Sequence, residues 1–411
     1  MSDRGRAINK SRDLRSARPF WRATPNISVD AASTANSKDY DAIIIGAGIS
    51  GALMAEALSR QKLRILIVDR RDPVRGSTMA STAMIQHEID TPLGELSRMI
   101  GEKKAARAWQ RSAASVARLT QLVEDLQLAC SFEARKTLYV SGDTYGARAL
   151  KQEAEMRSGI GLDAEYLTGS ALAERFGIDR TAAIVSKCSA SANPAQLTAA
   201  LLQVAVSRGV EIVSPLTITD YKETRDGVVV ATDQGQLLTT ADLIACTGYE
   251  YLSQLESKSH QVISTWALAS RPNTPRPEWL KDFLVWEGSD PYLYFRSTPD
   301  GRIIAGGEDE ADPLAHQDQE KAKLKFARII EKLRDIVGID IGKPAYGWSA
   351  PFGTTTTGLP IIDRLPGTKH VHAVMGFGGN GITFSTIAAE ILAARIGGNK
   401  DADEDLFRYP K

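Results

Sequence analysis

Glycines at 46, 48 and 51 stand directly after the apolar run Asp41-Ala42-Ile43-Ile44-Ile45 and before an alanine-rich stretch at 52–58. In this spacing each glycine has its own physical task. Gly46 permits a tight turn after a strand, Gly48 lets backbone approach a pyrophosphate, and Gly51 lets the next helix pack closely on the strand. That helix would present free N–H groups and the positive end of its dipole to phosphate oxygens. Asp69 ends a second apolar run, Arg64-Ile65-Leu66-Ile67-Val68, 23 residues after Gly46, where it is placed to accept hydrogen bonds from ribose hydroxyls. Together these residues predict dinucleotide binding; the alternative is a structural glycine turn that holds no ligand.

Two later features bear on which dinucleotide. Thr247-Gly248 closes another apolar strand, 242–245, and would bring backbone beside the first turn. Gly376-Phe377-Gly378-Gly379-Asn380-Gly381 repeats the glycine spacing just before a helix expected at 382–396. Few residues follow it in which a second acidic strand end could fall, so a second ribose site is not expected there. A helix N-terminus there suits a flavin ring, because its positive end would stabilise the anionic reduced pyrimidine. The expectation is therefore FAD, with a nicotinamide dinucleotide alone as the competing reading.

The elements that must position these residues follow from periodicity and turn chemistry. Short apolar runs at 41–45 and 64–68 read as strands buried on both faces of a parallel sheet, with a helix at 52–58 between them. Residues 92–128 and 194–208 read as helices, and 210–213 as a strand. Strands at 216–223, 227–232 and 237–240, separated by Arg225-Asp226-Gly227 and Asp233-Gln234-Gly235, form a β-meander. Residues 261–308 are β-rich, 320–337 form a charged amphipathic helix, and 371–375 form a last strand. The fold class is α/β: a discontinuous Rossmann-type FAD-binding domain with an inserted antiparallel β-rich (α+β) substrate domain. The expected division is an N-terminal arm at 1–39, an FAD-binding domain from 40–100, 186–258 and 345–411, and a substrate domain from 101–185 and 259–344.

Composition narrows the function classes. Fifty basic residues balance fifty acidic ones, which gives no electrostatic case for nucleic acid or an anionic membrane. No apolar run approaches the roughly 18–20 residues needed to span a bilayer. Cys130, Cys188 and Cys246 are odd in number and widely spaced. They predict no disulfide framework and no metal site, and a cytoplasmic protein. Residues 1–38 hold eight Lys or Arg against three Asp with no apolar core, so they read as a poorly ordered arm that packs late through Phe20 and Trp21.

The ordered set GAGISG at 46–51, Asp69, GSTMASTAM at 76–84, ACTG at 245–248, YLYFR at 292–296 and GFGGNGI at 376–382 resembles the D-amino-acid oxidase family of flavoenzymes, which includes glycine oxidase and sarcosine oxidase. The resemblance runs through most of the chain from residue 40. It implies a cofactor site formed by Gly46, Gly48, Ile49, Ser50 and Gly51, then Asp69, Arg70 and Arg71, then Ser77, Thr78, Ser81, Thr82, Ala83 and Met84. Ile218, Thr247 and Gly248 would join them, with Gly376, Gly378, Gly379, Asn380, Gly381, Ile382 and Thr383 at the flavin. The implied chemistry is FAD-dependent oxidation of a carbon–nitrogen bond in an amino acid or amine, by hydride transfer to flavin N5, with oxygen as the usual electron acceptor.

The resemblance also implies roles for particular side chains. Arg296 matches the position where amino-acid-oxidising members hold the substrate carboxylate, as a guanidinium fork can; alternatively it is a strand-edge arginine paired with an acid. Met84 belongs to the segment that passes beside the flavin ring. His87 either touches substrate or is structural. Trp266, Trp286, Tyr292 and Tyr294 either line an apolar pocket or fill the core. Gly379 replaces the basic residue that usually precedes Asn-Gly-Ile in glycine oxidases, a departure from that pattern. The region 348–357, where sarcosine-oxidase-like members carry a cysteine, has none, so the FAD is expected to be non-covalent. Competing functions are a same-fold dehydrogenase that passes electrons to a carrier or quinone, and a flavin-binding assembly protein without turnover.

Overall fold

The computed structural model describes residues 12–250, 252, 255 and 260–409. Two sheets organise them. The first has eight strands. Its central path runs Ile361–Arg364, Val371–Met375, Leu237–Ala245, Asp39–Ile45, Ile65–Val68 and Glu211–Val213. Asp39–Ile45 pairs in parallel with Leu237–Ala245 on one side and Ile65–Val68 on the other. Strand alternation sends Ala42 and Ile44 to one face and Ile43 and Ile45 to the opposite one. The first pair packs under the helices Ile49–Ser59, Pro194–Ser207 and Gly381–Ile396. The second pair packs with the meander strands Ile218–Glu223 and Val228–Thr232. Ile49–Ser59 is apolar almost all round, as a helix enclosed by two others must be.

The second sheet has nine strands. Its path is Tyr346–Thr355, His260–Ala269, Ile303–Glu310, Leu293–Ser297, Phe283–Gly288, Glu133–Ser141, Ala182–Ser191 and Met84–Ile85, with Ala164–Thr168 beside Ala182–Ser191. It is antiparallel except where Phe283–Gly288 meets Glu133–Ser141. The helix Gln319–Val337 covers one face with Ile329, Leu333 and Ile336. Asp318 caps that helix by accepting from the Glu320 and Lys321 amides, and Gly338 ends it in the left-handed region (φ 67°).

Four expectations about elements are corrected. The helix expected over 92–128 is two, Leu93–Ile100 and Glu102–Asp125, because Gly101 sits at φ 89° between them. The strands expected at 237–240 and 242–245 are one, since no breaker separates them and the strand pairs antiparallel with Val228–Thr232 and parallel with Asp39–Ile45. Tyr346–Thr355 pairs along ten residues with His260–Ala269, so it belongs to the second sheet rather than starting the last segment of the first. The arm is laid on the body from residue 12 onward: Trp21 is buried, Ala32 bridges to Val213, and Ser16 bridges to Ser349. Residues 1–11 of that arm lie outside the described residues.

Candidate cofactor and substrate site

One cavity of about 500 Å³ runs from the C-terminal ends of the parallel strands to the open face of the second sheet. Ligands in open α/β folds bind at such strand ends, where the strand order reverses. At this end, Gly46 has φ 111°, and a Cβ there would lie 2.4 Å from the Cys246 carbonyl oxygen. A Cβ on Gly51 would lie 1.8 Å from the Gly46 carbonyl oxygen, so only glycine lets helix and turn approach this closely. The Ile49 amide donates to Thr78 Oγ1 at 3.0 Å. Gly48, Ile49 and Ser50 line the cavity beyond that bond.

Asp69 is pinned at the tip of its strand. Oδ2 accepts from the Ala47 amide at 2.7 Å, and Oδ1 from the Arg71 amide at 2.8 Å. Burial raises its pKa, but both amides work against that. Arg71 forms a two-pronged pair with Glu250, at 2.7 and 2.8 Å. Arg70, Arg71, Thr247 and Gly248 complete this end of the wall, and Leu14 of the arm closes over it. Arg15 also reaches this region and donates to the carbonyls of Arg75 and Gly76.

The second glycine turn enters the same cavity. Gly378, Gly379, Gly381 and Ile382 line it. Gly378 has φ 54°, and a Cβ there would lie 2.2 Å from Asp90 Oδ2. Asp90 Oδ2 accepts from the Gly379 amide at 2.8 Å. Protein encloses Asp90, which nevertheless keeps accessible surface because it faces the cavity; burial pushes its pKa up to about 6. A carboxylate thus already holds one of the amides at this helix start.

Opposite the turn stands the second sheet. Tyr292 and Tyr294 put their rings 5.7 Å apart on the cavity wall. Gly306, on the neighbouring strand, makes room for Tyr294, since a Cβ there would lie 2.4 Å from its hydroxyl. A bulge follows, with Gly307 at φ 132° and Glu308 at φ 57°, and it turns Asp309 toward the cavity. The Thr265 and Tyr292 hydroxyls lie within hydrogen-bonding reach of the Asp309 carboxylate, yet its Oδ1 has no partner. Burial pushes the Asp309 pKa up to about 6. Trp286, stacked on Tyr139 at 3.7 Å, lines the outer part.

A glycine cradle, an acid at the second strand end and a second glycine turn facing one cavity together fit a long dinucleotide. A family profile described as FAD dependent oxidoreductase matches residues 41–395. The chain belongs to the FAD-dependent oxidoreductase family. Among solved structures, glycine oxidase from Geobacillus kaustophilus superposes with a TM-score of 0.76 at 18% identity, covering 91% of this chain and 99% of that one. L-Proline dehydrogenase from P. horikoshii gives 0.73 at 17% identity, covering 90% and 97%. L-Amino acid deaminase from Proteus vulgaris gives 0.74 at 15% identity, covering 93% and 100%. These likenesses show the fold. A curated Bacillus subtilis protein, YhfW, named for a Rieske 2Fe-2S group, is 20% identical over 392 residues, or 94% of this chain and 74% of that protein.

In this FAD-dependent family member the sequence-derived site residues divide into two groups. Gly46, Gly48, Ile49, Ser50, Asp69, Arg70, Arg71, Ser77, Thr78, Ser81, Thr82, Ala83, Met84, Thr247, Gly248, Gly378, Gly379, Gly381 and Ile382 all line the cavity. The others do not. Gly51 lies beneath the turn, against Gly46. Gly376 packs against Thr355 and His260. Asn380 and Thr383 bond the carbonyls of Glu88 and Gln86 behind the wall. Ile218 is buried in the core under the meander, because its strand face turns inward there.

Arg296 and His87 also require correction. The Arg296 guanidinium is buried and donates to the carbonyls of Thr82 (2.8 Å), Ala192 (2.9 Å) and Ser297 (3.3 Å), with Trp21 of the arm 5.5 Å away. It is outside the cavity lining and paired with backbone, so neither a substrate fork nor a strand-edge ion pair describes it. His87 is buried with Nδ1 3.2 Å from the Cys188 carbonyl oxygen, and burial lowers its pKa. Trp266 is core, whereas Trp286, Tyr292 and Tyr294 line the cavity. The sequence reading missed Asp90, Tyr249, Glu250, Thr265 and Asp309. For Asp309 the available signal was the Gly306-Gly307 pair inside a strand, which marks a bulge.

Proposed function

We propose that this protein oxidises the C–N bond of a small amino acid or amine. The observation that carries this proposal is the convergence of two walls on one cavity: the glycine turns and Asp69 on one side, and Tyr292, Tyr294 and Asp309 on the other. Support also comes from the fold neighbours, whose names are those of enzymes acting on glycine, L-proline and L-amino acids. Gly46, Gly48 and Ser50 would hold the pyrophosphate, Asp69 the ribose, and Gly378 to Gly381 the ring. When bound, FAD supplies the two-electron acceptor for the hydride of the substrate's α C–H.

The chain's own residues supply orientation and proton control. Tyr292 and Tyr294 flank the space where the amine would lie, and Asp309 Oδ1 can hold or take a proton from its nitrogen. The substrate loses a hydride from carbon and a proton from nitrogen; the resulting imine adds water and releases its nitrogen, leaving a carbonyl compound. Electrons then leave to oxygen, giving hydrogen peroxide, or to a carrier or quinone, giving none. The free thiols Cys130, Cys188 and Cys246 support a place in a reducing cytoplasm. The test is an anaerobic screen of the purified holoenzyme against amino acids, N-methyl amino acids and aliphatic amines. At least one class should bleach the flavin; an oxidised spectrum throughout would remove C–N oxidation.

A further inference from the structure

The half of the cavity that faces the second sheet is lined with charges of one sign. Among the described residues its carboxylates are Asp90, Glu287, Asp290 and Asp309, and it carries no Lys, Arg or His. The two cations of the lining, Arg70 and Arg71, follow Asp69 at the nucleotide end. Glu287 has Lys332 at 3.5 Å, and Asp290 is exposed at the rim. Asp90 takes the Gly379 amide. Asp309 Oδ1, like Glu287 Oε1, is shielded from solvent without a hydrogen-bond partner, but among the described residues only Glu287 has a lysine within ion-pair distance. Lys325, whose charge acts on Asp309, lies over the Trp266 ring on the helix-covered face and donates to the Glu308 carbonyl.

We propose that the site takes a cationic amine without a carboxylate, its ammonium held by Asp309 beside the rings of Tyr292 and Tyr294. Calling this amine the substrate rests on C–N oxidation as proposed above; the charge preference rests on the cavity alone. An ammonium gains from the carboxylate and from the faces of the two tyrosines. A zwitterionic amino acid would bring its carboxylate toward Asp90 and Asp309 with no guanidinium to receive it, since Arg296 is bound to three backbone carbonyls.

The test uses two ligands that cannot be oxidised, because their nitrogen-bearing carbon has no hydrogen: tert-butylamine and 2-aminoisobutyrate. Holoenzyme is titrated with each, and binding is read from the flavin's visible spectrum. The amine should saturate with a Kd at least about ten-fold below that of the zwitterion, and Asp309→Asn should weaken it about ten- to a hundred-fold with FAD content unchanged. Tighter binding of 2-aminoisobutyrate, no perturbation by the amine, or an unchanged Kd in Asp309→Asn would overturn the proposal. If Asp309→Asn does not fold, the two wild-type titrations decide. Amine binding with no bleaching of the flavin by any amine or amino acid of the anaerobic screen would overturn C–N oxidation and uphold the cation site. Bleaching by amino acids, with the zwitterion bound more tightly, would do the reverse.

Discussion

Replacing Arg296 separates a structural arginine from a substrate-binding one. In Arg296→Met the carbonyls of Thr82, Ala192 and Ser297 lose their donors in a buried setting. At ~1 kcal/mol for each lost bond, the cost is ~3 kcal/mol. Spread over the unfolding entropy of a chain this size, roughly 0.9 kcal/mol per kelvin, this lowers the midpoint by about 3–4 °C. The Thr82 carbonyl belongs to the segment that lines the cavity, so some loss of kcat is expected through misplacement. Because Arg296 is outside the cavity wall, KM for any substrate should change by less than about three-fold. The assays are thermal denaturation of the holoenzyme and steady-state kinetics with the substrate found by bleaching. An unchanged midpoint, combined with a KM raised a hundred-fold for carboxylate substrates only, would refute this placement.

Other consequences follow from the same geometry. Gly51→Ala forces a Cβ onto the Gly46 carbonyl oxygen, so the helix must retreat; the purified variant should retain less than about a tenth of the wild-type FAD after dialysis. Acid precipitation should release the FAD into the supernatant, and colour retained in the pellet would show a covalent bond. Asp309 titrates near 6 when folded, against an ordinary 3.8. Its contribution to stability is therefore complete below 3.8 and is lost as pH climbs through 6. Asp309→Asn removes that loss and should gain on wild type by about 1–2 kcal/mol between pH ~4 and pH ~7, a full shift being worth about 3 before water in the cavity screens it. Denaturant melts at the two pH values check this, and a constant difference would contradict it. By the same ionisation, tert-butylamine should bind more tightly as pH rises through about 6, in the presence of Asp90, Lys325 and the Tyr292 and Tyr294 hydroxyls that face or neighbour Asp309.

What was legible in the sequence was what local backbone geometry dictates. Gly51 and Asp69 follow from a helix start packed on the Gly46 carbonyl and a strand of fixed length, and the positive φ of Gly46 is local too, although the atom its Cβ would strike, the Cys246 carbonyl oxygen, lies two hundred residues away. Arg296 shows the limit. Alternation correctly puts it on the same strand face as Tyr294, two residues away. The arm at Trp21 and the Thr82 segment cover that part of the face, however, and both contacts span more than two hundred residues. Asp309 was hidden for the opposite reason. The bulge at Gly307 and Glu308 breaks the period of two, so the direction of its side chain cannot be counted from its neighbours. Asp90 follows a two-residue strand too short to show any period, Met84–Ile85. Charge at the site thus came from loops and irregularities, while the cofactor cradle came from regular elements.

The central claim, oxidation of a C–N bond, is tested most directly by stoichiometry without oxygen. Holoenzyme at known flavin concentration is mixed anaerobically with excess n-butylamine, and both the bleached flavin and the carbonyl product are quantified from one sample. C–N oxidation predicts one carbonyl compound and one released ammonia per flavin reduced. Reduced flavin with no carbonyl product, or a carbonyl product without loss of the flavin's absorbance, would contradict it.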